Sequence, residues 1–322
     1  MRSLQLTMVG AIGLVAALNL CNASQLAPWR GRPRVLAHRG VHQTFSADGV
    51  DAATCTAARV TPPEHGYLEN TLPAVQAAFD AGAGAVEIDV RGTADGHLVV
   101  LHDATLDCRT DGHGVPEEHS LAELRALDLG YGYTADGGAT YPLRGSGAGL
   151  LVTLEEVFAH FPGRAFVIDV KSGRAEDGER VADVLAALPE EDRRLQIVYG
   201  APVAVARVSA RLPEVRTLDR ARVKRCVAGY AATGWLGHVP EACAHTLVLV
   251  PVDLAPLLWG YPRRLEARLA RVGSELALMG PLQDGVTTGI DGAELLAEVP
   301  ADFGGWVWTN RAEVVGPLLH GR

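Results

Sequence analysis

No extended run of lysine or arginine occurs in the chain, and its 29 basic residues are outnumbered by 38 acidic ones, for a formal charge of −9. Nucleic-acid binding needs clustered positive charge along a phosphate backbone, so the composition argues against it. An anionic small substrate stays open, because a few cations or a metal ion reverse the field inside one cleft. The five cysteines include no C-x-x-C pair, which disfavours structural zinc and a thioredoxin-type centre. No G-x-G-x-x-G follows the first strand-like run, so the common dinucleotide fingerprint is missing. Internal repeats, low-complexity tracts and an evident interdomain linker are lacking too. What remains is 322 residues, 48% hydrophobic, with 36 Gly and 18 Pro. That is the composition of a folded globular chain, and neither a coiled coil nor a collagen-like rod.

Arg2 is the one early charged side chain, and Leu4 to Leu20 then carries none before Cys21-Asn22-Ala23-Ser24. A positive start followed by an apolar run marks export. Residues 1–23 read as a signal peptide or a membrane anchor, the uncleaved anchor slightly favoured, although the run is near the short limit of roughly seventeen residues for a span. Residues 24–33 then form a tether, and 34–322 a single domain at the periplasm or cell envelope, touching membrane only through the N-terminal segment. Setting Cys21 aside leaves an even four cysteines, which an exported chain oxidises. The expected pairs are Cys55–Cys108 and Cys226–Cys243, the second closing a short loop-rich stretch.

Short apolar runs alternate with helical patterns after residue 33. Strands are expected at Arg34–His38, Ala85–Val90, Ala165–Val170, Leu195–Tyr199, Val215–Leu218, Thr246–Val250, Glu275–Met279 and Gly305–Thr309. Amphipathic helices are expected at Thr71–Ala81, Arg180–Leu188, Val203–Leu212, Arg263–Val272 and Ala312–Leu319. Near-continuous apolar strands between helices imply a parallel sheet covered on both faces. Eight of them suggest an α/β fold closed as a (β/α)₈ barrel. Two stretches break the rhythm: Gly40–Leu68, and Asp103–Leu151 after a short hairpin strand at His97–His102. Both leave strand C-terminal ends, where such barrels keep their active sites, and loops of that length usually form a lid or binding wall.

Polar groups gather at those strand ends. The first strand ends Ala37-His38-Arg39-Gly40 and the second carries Glu87-Ile88-Asp89, whose alternate carboxylates share a face. The hairpin ends His102-Asp103, and the third strand carries Asp169-Val170-Lys171. Three converging carboxylates repel one another unless a divalent cation joins them, and all-oxygen ligation suits Mg²⁺ or Ca²⁺. Glu87, Asp89 and Asp169 are therefore the candidate metal ligands. Two histidines beside a hard cation, with Arg39 and Lys171 in reach, are the equipment for breaking a phosphate ester.

The ordered runs Ala37-His38-Arg39-Gly40, Leu68-Glu69-Asn70-Thr71, Val86-Glu87-Ile88-Asp89-Val90 and Asp95-Gly96-His97-Leu98-Val99-Val100-Leu101-His102-Asp103 resemble the glycerophosphodiester phosphodiesterase family. So does Leu106-Asp107-Cys108-Arg109-Thr110-Asp111-Gly112. With Val152-Thr153-Leu154-Glu155-Glu156 the resemblance spans residues 34 to 171. It implies a barrel that hydrolyses glycerophosphodiesters to glycerol phosphate and an alcohol with a divalent metal. Within it His38 and His102 look like the acid/base pair, Arg39 and Lys171 like phosphate contacts, and Glu69 and Asn70 like side chains lining the site. Three features depart from the family pattern. Asp169 stands where the family usually has Glu, and the loop between His38 and Glu69 is unusually long. The seventh strand reads Ala277-Leu278-Met279-Gly280 in place of Trp-Thr-x-Asn, while Trp306-Val307-Trp308-Thr309-Asn310 comes on the eighth, leaving Trp308 either a substrate contact or a core aromatic. The alternatives are a phospholipase D-like cyclising activity on lysophospholipids, and a catalytically idle envelope binding protein.

Overall fold

The computed structural model describes residues 20–28, 31–46, 49–50, 54–283 and 286–321. Eight parallel strands form its centre: β1 (Arg34–His38), β2 (Ala83–Gly92), β3 (Ala165–Val170), β4 (Ile197–Gly200), β5 (Arg216–Leu218), β6 (Leu247–Pro251), β7 (Glu275–Met279) and β8 (Trp306–Thr309). They pair in the order β5-β4-β3-β2-β1-β8-β7-β6, with a short antiparallel strand, Leu98–Val100, on β2. Each strand is followed in the chain by a helix: α1 (Leu72–Asp80), α2 (Leu154–His160), α3 (Ala175–Ala186), α4 (Pro202–Arg211), α5 (Arg220–Thr233), α6 (Arg263–Arg271), α7 (Ala293–Ala297) and α8 (Ala312–His320). This is the expected (β/α)₈ barrel, closed by ladder pairing everywhere but between β5 and β6 among the described residues. Side chains bridge that seam: the Thr246 hydroxyl donates to the Thr217 carbonyl at 2.8 Å. Arg222 joins the Thr217 and Ala244 carbonyls across it.

Alternation along each strand sorts the core. Leu36, Ala85, Val167, Ile197, Leu218, Leu247, Ala277 and Trp306 point inward and plug the lower barrel. The residues between them, such as Val35, Val86, Ile88, Ile168 and Leu278, pack outward against the helices. At the foot, Glu275 on β7 takes Arg34 of β1 on one oxygen and Arg216 of β5 on the other, tying strands on both sides of the seam. Two residues above the inward apolar layer the same faces carry His38, Glu87 and Asp169, so the barrel's own period delivers polar groups to the rim.

The helix starts are built by short polar residues. Thr71 caps α1, accepting from the Ala74 amide, and Pro73 occupies its first turn. Thr153 and Glu156 form a reciprocal capping box on α2, satisfying two otherwise unpaired amides. Asp219 caps α5.

Helices α5 and α7 lie outside the expected set, and α3 begins earlier than the Arg180–Leu188 expected. Helix α5 is rich in arginine and weakly amphipathic, so it lacks an apolar stripe to read; it is held instead by Cys226, Tyr230 and the seam arginine Arg222. The strand boundaries shift by one or two residues, as at Ile197–Gly200 and Leu98–Val100.

Both expected disulfides are formed, with Cα separations of 5.4 Å for Cys55–Cys108 and 4.8 Å for Cys226–Cys243. The two long loops have a core of their own, in which Ala57, Val60 and Leu68 of the first meet Leu106, Leu124, Leu129, Tyr133 and Leu143 of the second. The first disulfide staples that core beside the rim. Residues 1–19 of the N-terminal segment lie outside the described residues. Within the stretch read as a tether, a short turn at Ser24–Leu26 packs against α6: the Ser24 hydroxyl accepts from the Arg263 amide at 3.1 Å, and Ala27 is buried. Among the described residues no helix is long and apolar enough to cross a membrane.

Candidate active site

Strand register builds the site. His38 lies beside Glu87 in the β1–β2 ladder, and Asp89 beside Asp169 in the β2–β3 ladder. Glu87, Asp89 and Asp169 each turn a carboxylate oxygen inward, and the three oxygens lie within 4.8 Å of one another. The predicted ligand set therefore comes together at one buried point.

Beyond β1 the backbone takes two turns that only local hydrogen bonding makes tolerable. Arg39 and Asn70 both have positive φ, 58° and 60°, which is costly for residues with a side chain. The Arg39 amide donates to the Glu87 carbonyl, and the Asn70 amide to the Arg39 carbonyl. Gly40 follows at φ 79°, and a Cβ there would sit 2.7 Å from the Ala74 carbonyl group, so glycine is required for the loop to cross α1. These turns aim the side chains. Asn70 grips Asp89 from both sides, donating to its Oδ2 at 2.8 Å and accepting from its amide at 3.1 Å.

Cations balance the carboxylates. Arg39 Nε lies 3.1 Å from Asp89 Oδ2, and Lys171 Nζ lies 2.9 Å from Asp89 Oδ1 and 2.7 Å from Asp169 Oδ2. Burial works against the Asp89 charge, but Lys171 and Arg39 outweigh it and hold that carboxyl well below its ordinary range. Glu87 is different: burial and the Asp89 charge beside it push its pKa well up. Burial, reinforced by Asp89, also raises Asp169 against the pull of Lys171. Asp89 Oδ1 has no well-directed hydrogen bond although it is buried. A cluster of hard oxygens that mutual repulsion keeps from ionising together is the donor set a divalent cation completes, and the three residues fit Mg²⁺ or Ca²⁺.

The two histidines are backed by different partners. Asp291 accepts from the Asn310 side-chain amide at 2.8 Å, which turns Asn310 Oδ1 toward His38 Nδ1 at 2.6 Å. The carbonyl oxygen can only accept, so Nδ1 carries the proton and Nε2 is left as the basic nitrogen. That nitrogen receives Arg39 Nε at 3.1 Å and stands 3.8 Å from Glu87 Oε2. Burial first, then the Arg39 charge, holds His38 well below the ordinary imidazole range. His102 instead gives Nδ1–H to Asp103 at 2.8 Å. Despite burial Asp103 is held at about 2, chiefly by Arg109, whose Nε reaches it at 2.7 Å.

Arg109 is the hub of the rim. Besides Asp103 it meets Glu69 at 2.8 Å, the Tyr133 hydroxyl at 2.7 Å and the Thr56 hydroxyl at 2.6 Å. Glu69 also takes Arg39 at 3.1 Å. Thr56 and Arg109 each follow a cysteine of the Cys55–Cys108 bridge, so the disulfide lies one residue from the clamp. Trp308 is buried with its ring 5.1 Å from that of His38, a core aromatic that walls the imidazole.

All the residues singled out in the sequence meet here: His38, Arg39, Glu69, Asn70, Glu87, Asp89, His102, Asp169 and Lys171. Four that position them were given no role: Asp103, Arg109, Asp291 and Asn310. Asp103, Arg109 and Asn310 stood inside quoted motifs. Gly289 makes room for the last pair, since a Cβ there would lie 2.2 Å from Asp291 Oδ1 and 2.7 Å from Asn310 Nδ2. Nothing in the local pattern around Asp291 marks it.

Residues 38–226 match the model of the glycerophosphoryl diester phosphodiesterase family. A glycerophosphodiester phosphodiesterase of Caldanaerobacter subterraneus is 38% identical over 108 residues, 33% of this chain and 40% of that protein. The chain thus aligns with less than half the length of that relative. A Mycobacterium tuberculosis protein named Probable glycerophosphodiester phosphodiesterase 1 is 32% identical over 216 residues, 63% of this chain and 69% of the relative. The barrel is also similar to a solved phosphodiesterase from Oleispira antarctica, in complex with the product sn-glycerol-3-phosphate. That likeness has a TM-score of 0.55 and 18% identity, covering 90% of this chain and 98% of the other.

Proposed function

Since this chain belongs to the glycerophosphoryl diester phosphodiesterase family, we propose that it hydrolyses glycerophosphodiesters to glycerol phosphate and an alcohol, with His38 as base and His102 as acid. The product held by the Oleispira neighbour supports glycerol phosphate as the product class. The observation that carries the assignment of roles is the opposite backing of the two imidazoles, an amide oxygen behind one and a carboxylate behind the other.

His38, neutral and with Nε2 unprotonated, takes the proton from an attacking water, or from the glycerol 2-hydroxyl, in which case the cyclic phosphate formed as the alcohol leaves is opened by water in a second step. A neutral base that is already oriented loses no time to deprotonation or rotation. His102, its tautomer fixed by Asp103, presents Nε2 to the departing alcohol, and the ionised Asp103 accommodates the positive charge of the ring while it carries the proton. Arg39 and Lys171 share the charge of the phosphoryl oxygens in a pocket where burial strengthens each interaction. Glu87, Asp89 and Asp169 would hold a divalent cation, which would supply Lewis-acid stabilisation of the phosphoryl group. Glu69 keeps Arg39 and Arg109 in place without touching the reacting atoms.

The two disulfides and the apolar run at residues 4–20 support an exported protein, anchored by that run, with 34–322 as its catalytic domain. The test of the activity is turnover of glycerophosphocholine and lysophosphatidylcholine with Mg²⁺, with Ca²⁺ and with chelator. Metal-dependent release of glycerol phosphate and choline from the first is expected. No turnover of any glycerophosphodiester with either metal ends the proposal.

A further inference from the structure

The outer wall of the barrel carries an apolar face that the catalytic reading does not use. Trp235 and Leu236 follow the end of α5, and Leu257 and Trp259 lie in the connection between β6 and α6. Two hydrogen bonds anchor the indoles to the last turn of α5: Trp259 Nε1 donates to the Ala231 carbonyl at 2.9 Å and Trp235 Nε1 to the Ala232 carbonyl at 3.1 Å. Both N–H groups are therefore satisfied inside the protein, and what the rings turn outward is apolar. Leu236 and Leu257 beside them are 64% and 74% exposed. Large apolar side chains clustered at the surface, with two tryptophans among them, mark a contact surface.

The described N-terminal segment runs into this face. Asn22 donates to the Trp235 carbonyl at 2.9 Å, while Arg268 reaches the Cys21 carbonyl and Asn22 Oδ1, each at 3.1 Å. Leu20 and Leu26, both well exposed, thereby join the patch. The uncharged run that begins at Leu4 leads into Leu20. In a chain of charge −9, α5 carries four cations and no acidic residue: Arg220 is held by the Tyr199 hydroxyl and Arg222 by the seam carbonyls, while Lys224 and Arg225 are exposed. Lys224 lies two turns before Ala231 on the same helical face and is exposed.

We infer that this face is a membrane-contact surface that beds into the interfacial zone of an anionic bilayer. Tryptophan is the residue suited to that zone, where an apolar ring meets the headgroups, and Lys224, exposed on the same face of α5, matches anionic lipid. Because α5 runs back from the rim, its end lies at the foot of the barrel. The catalytic mouth then faces water, and the substrate arrives as a soluble glycerophosphodiester, not as a lipid drawn from the same bilayer. Membrane contact thus extends beyond the N-terminal run, and the argument is independent of the hydrolytic roles proposed above.

The test uses the full chain with vesicles of phosphatidylcholine and phosphatidylglycerol, with or without bromine on the acyl chains. The emission of Trp235 and Trp259 is read as the difference between the parent and a Trp235→Phe–Trp259→Phe variant. Brominated lipid is expected to quench that emission, less so without phosphatidylglycerol or in high salt. In a Leu236→Asp–Leu257→Asp background the quenching should be lost, while turnover of a soluble diester is unchanged. Vesicle-bound protein whose two indoles stay unquenched overturns the inference, because the N-terminal run alone then holds the chain. Failure to bind vesicles overturns it too. So does a dimer in lipid-free solution that the two aspartates dissociate, since a second copy then covers the face.

Discussion

Asn310 Oδ1 stands 2.6 Å from His38 Nδ1, and Asp291, 2.8 Å from the other end of the same amide, decides which end that is. The carboxylate acts on the His38 ring through an intervening amide, so it sets the tautomer of the imidazole without itself touching it. Burial and Arg39 hold His38 below the ordinary imidazole range, and its remaining lone pair is fixed, as the proposed role of general base requires.

Replacing Asn310 by Ala is therefore expected to lower kcat by roughly 10- to 100-fold, the usual cost of losing an orienting partner. KM should change little, because no substrate contact is removed. His38→Ala and His102→Ala should each cost roughly 10²–10⁴ in kcat. Steady-state kinetics of the three variants, with the acidic limb of the pH profile, check this. An Asn310→Ala enzyme that loses KM but keeps kcat would show that the amide serves binding.

The carboxylate cluster predicts a metal effect that does not depend on turnover. An ion bound by the native cluster alone stabilises the fold, by about 2.7 kcal/mol at a hundred times its dissociation constant. Mg²⁺ or Ca²⁺ should raise the melting temperature of the parent, and chelator should reverse the rise. Glu87→Gln, which replaces one of the three clustered carboxylates by a neutral amide, should abolish most of it. Equal metal stabilisation of parent and variant would place the ion elsewhere.

The barrel and its rim were legible for a physical reason. Strand periodicity of two puts a carboxylate or imidazole in line with an inward apolar residue, so Leu36 and His38, or Val167 and Asp169, announce both the sheet and the site. The orienting residues were harder. Asn310 is 272 positions from His38, and Asp291 sits in an ordinary loop, so only closure of β8 against β1 brings them together. Helix α5 escaped notice because its role is to bridge the β5–β6 seam and carry a disulfide, which leaves arginines where an apolar stripe would have been read.

The two disulfides should behave differently. In the chain-entropy model a bridge over 53 residues is worth about 4 kcal/mol and one over 17 about 3 kcal/mol. Cys55–Cys108 also adjoins the Arg109 clamp on Asp103 and Glu69, whereas Cys226–Cys243 joins α5 to the turn before β6 on the outer wall. A Cys55→Ser–Cys108→Ser enzyme should lose stability and also discriminate less between small and bulky alcohol groups. Cys226→Ser–Cys243→Ser should lose stability alone. Ratios of kcat/KM for two such substrates decide it, and unchanged ratios in the first variant would detach the lid from selectivity.

Glu266 supplies a pH dependence of stability that lies far from the chemistry. It is buried on α6 at the foot of the barrel, with Oε1 accepting from the Gly304 amide at 2.7 Å and Oε2 unpartnered. Burial, with the Asp302 charge, outweighs the backbone N–H groups and Arg34 and raises its pKa to about 7. The folded chain then keeps a proton that the unfolded chain releases near the ordinary 4.5. Stability is unaffected below that value, falls as pH rises toward 7, and stays lowered above it, by a total on the order of 3 kcal/mol. Glu266→Gln retains the oxygen that faces Gly304 and has nothing to ionise. It should match the parent in urea unfolding at pH 4 and exceed it at pH 8. A difference between the two proteins that is the same at both pH values would mean that Glu266 ionises as freely in the fold as outside it.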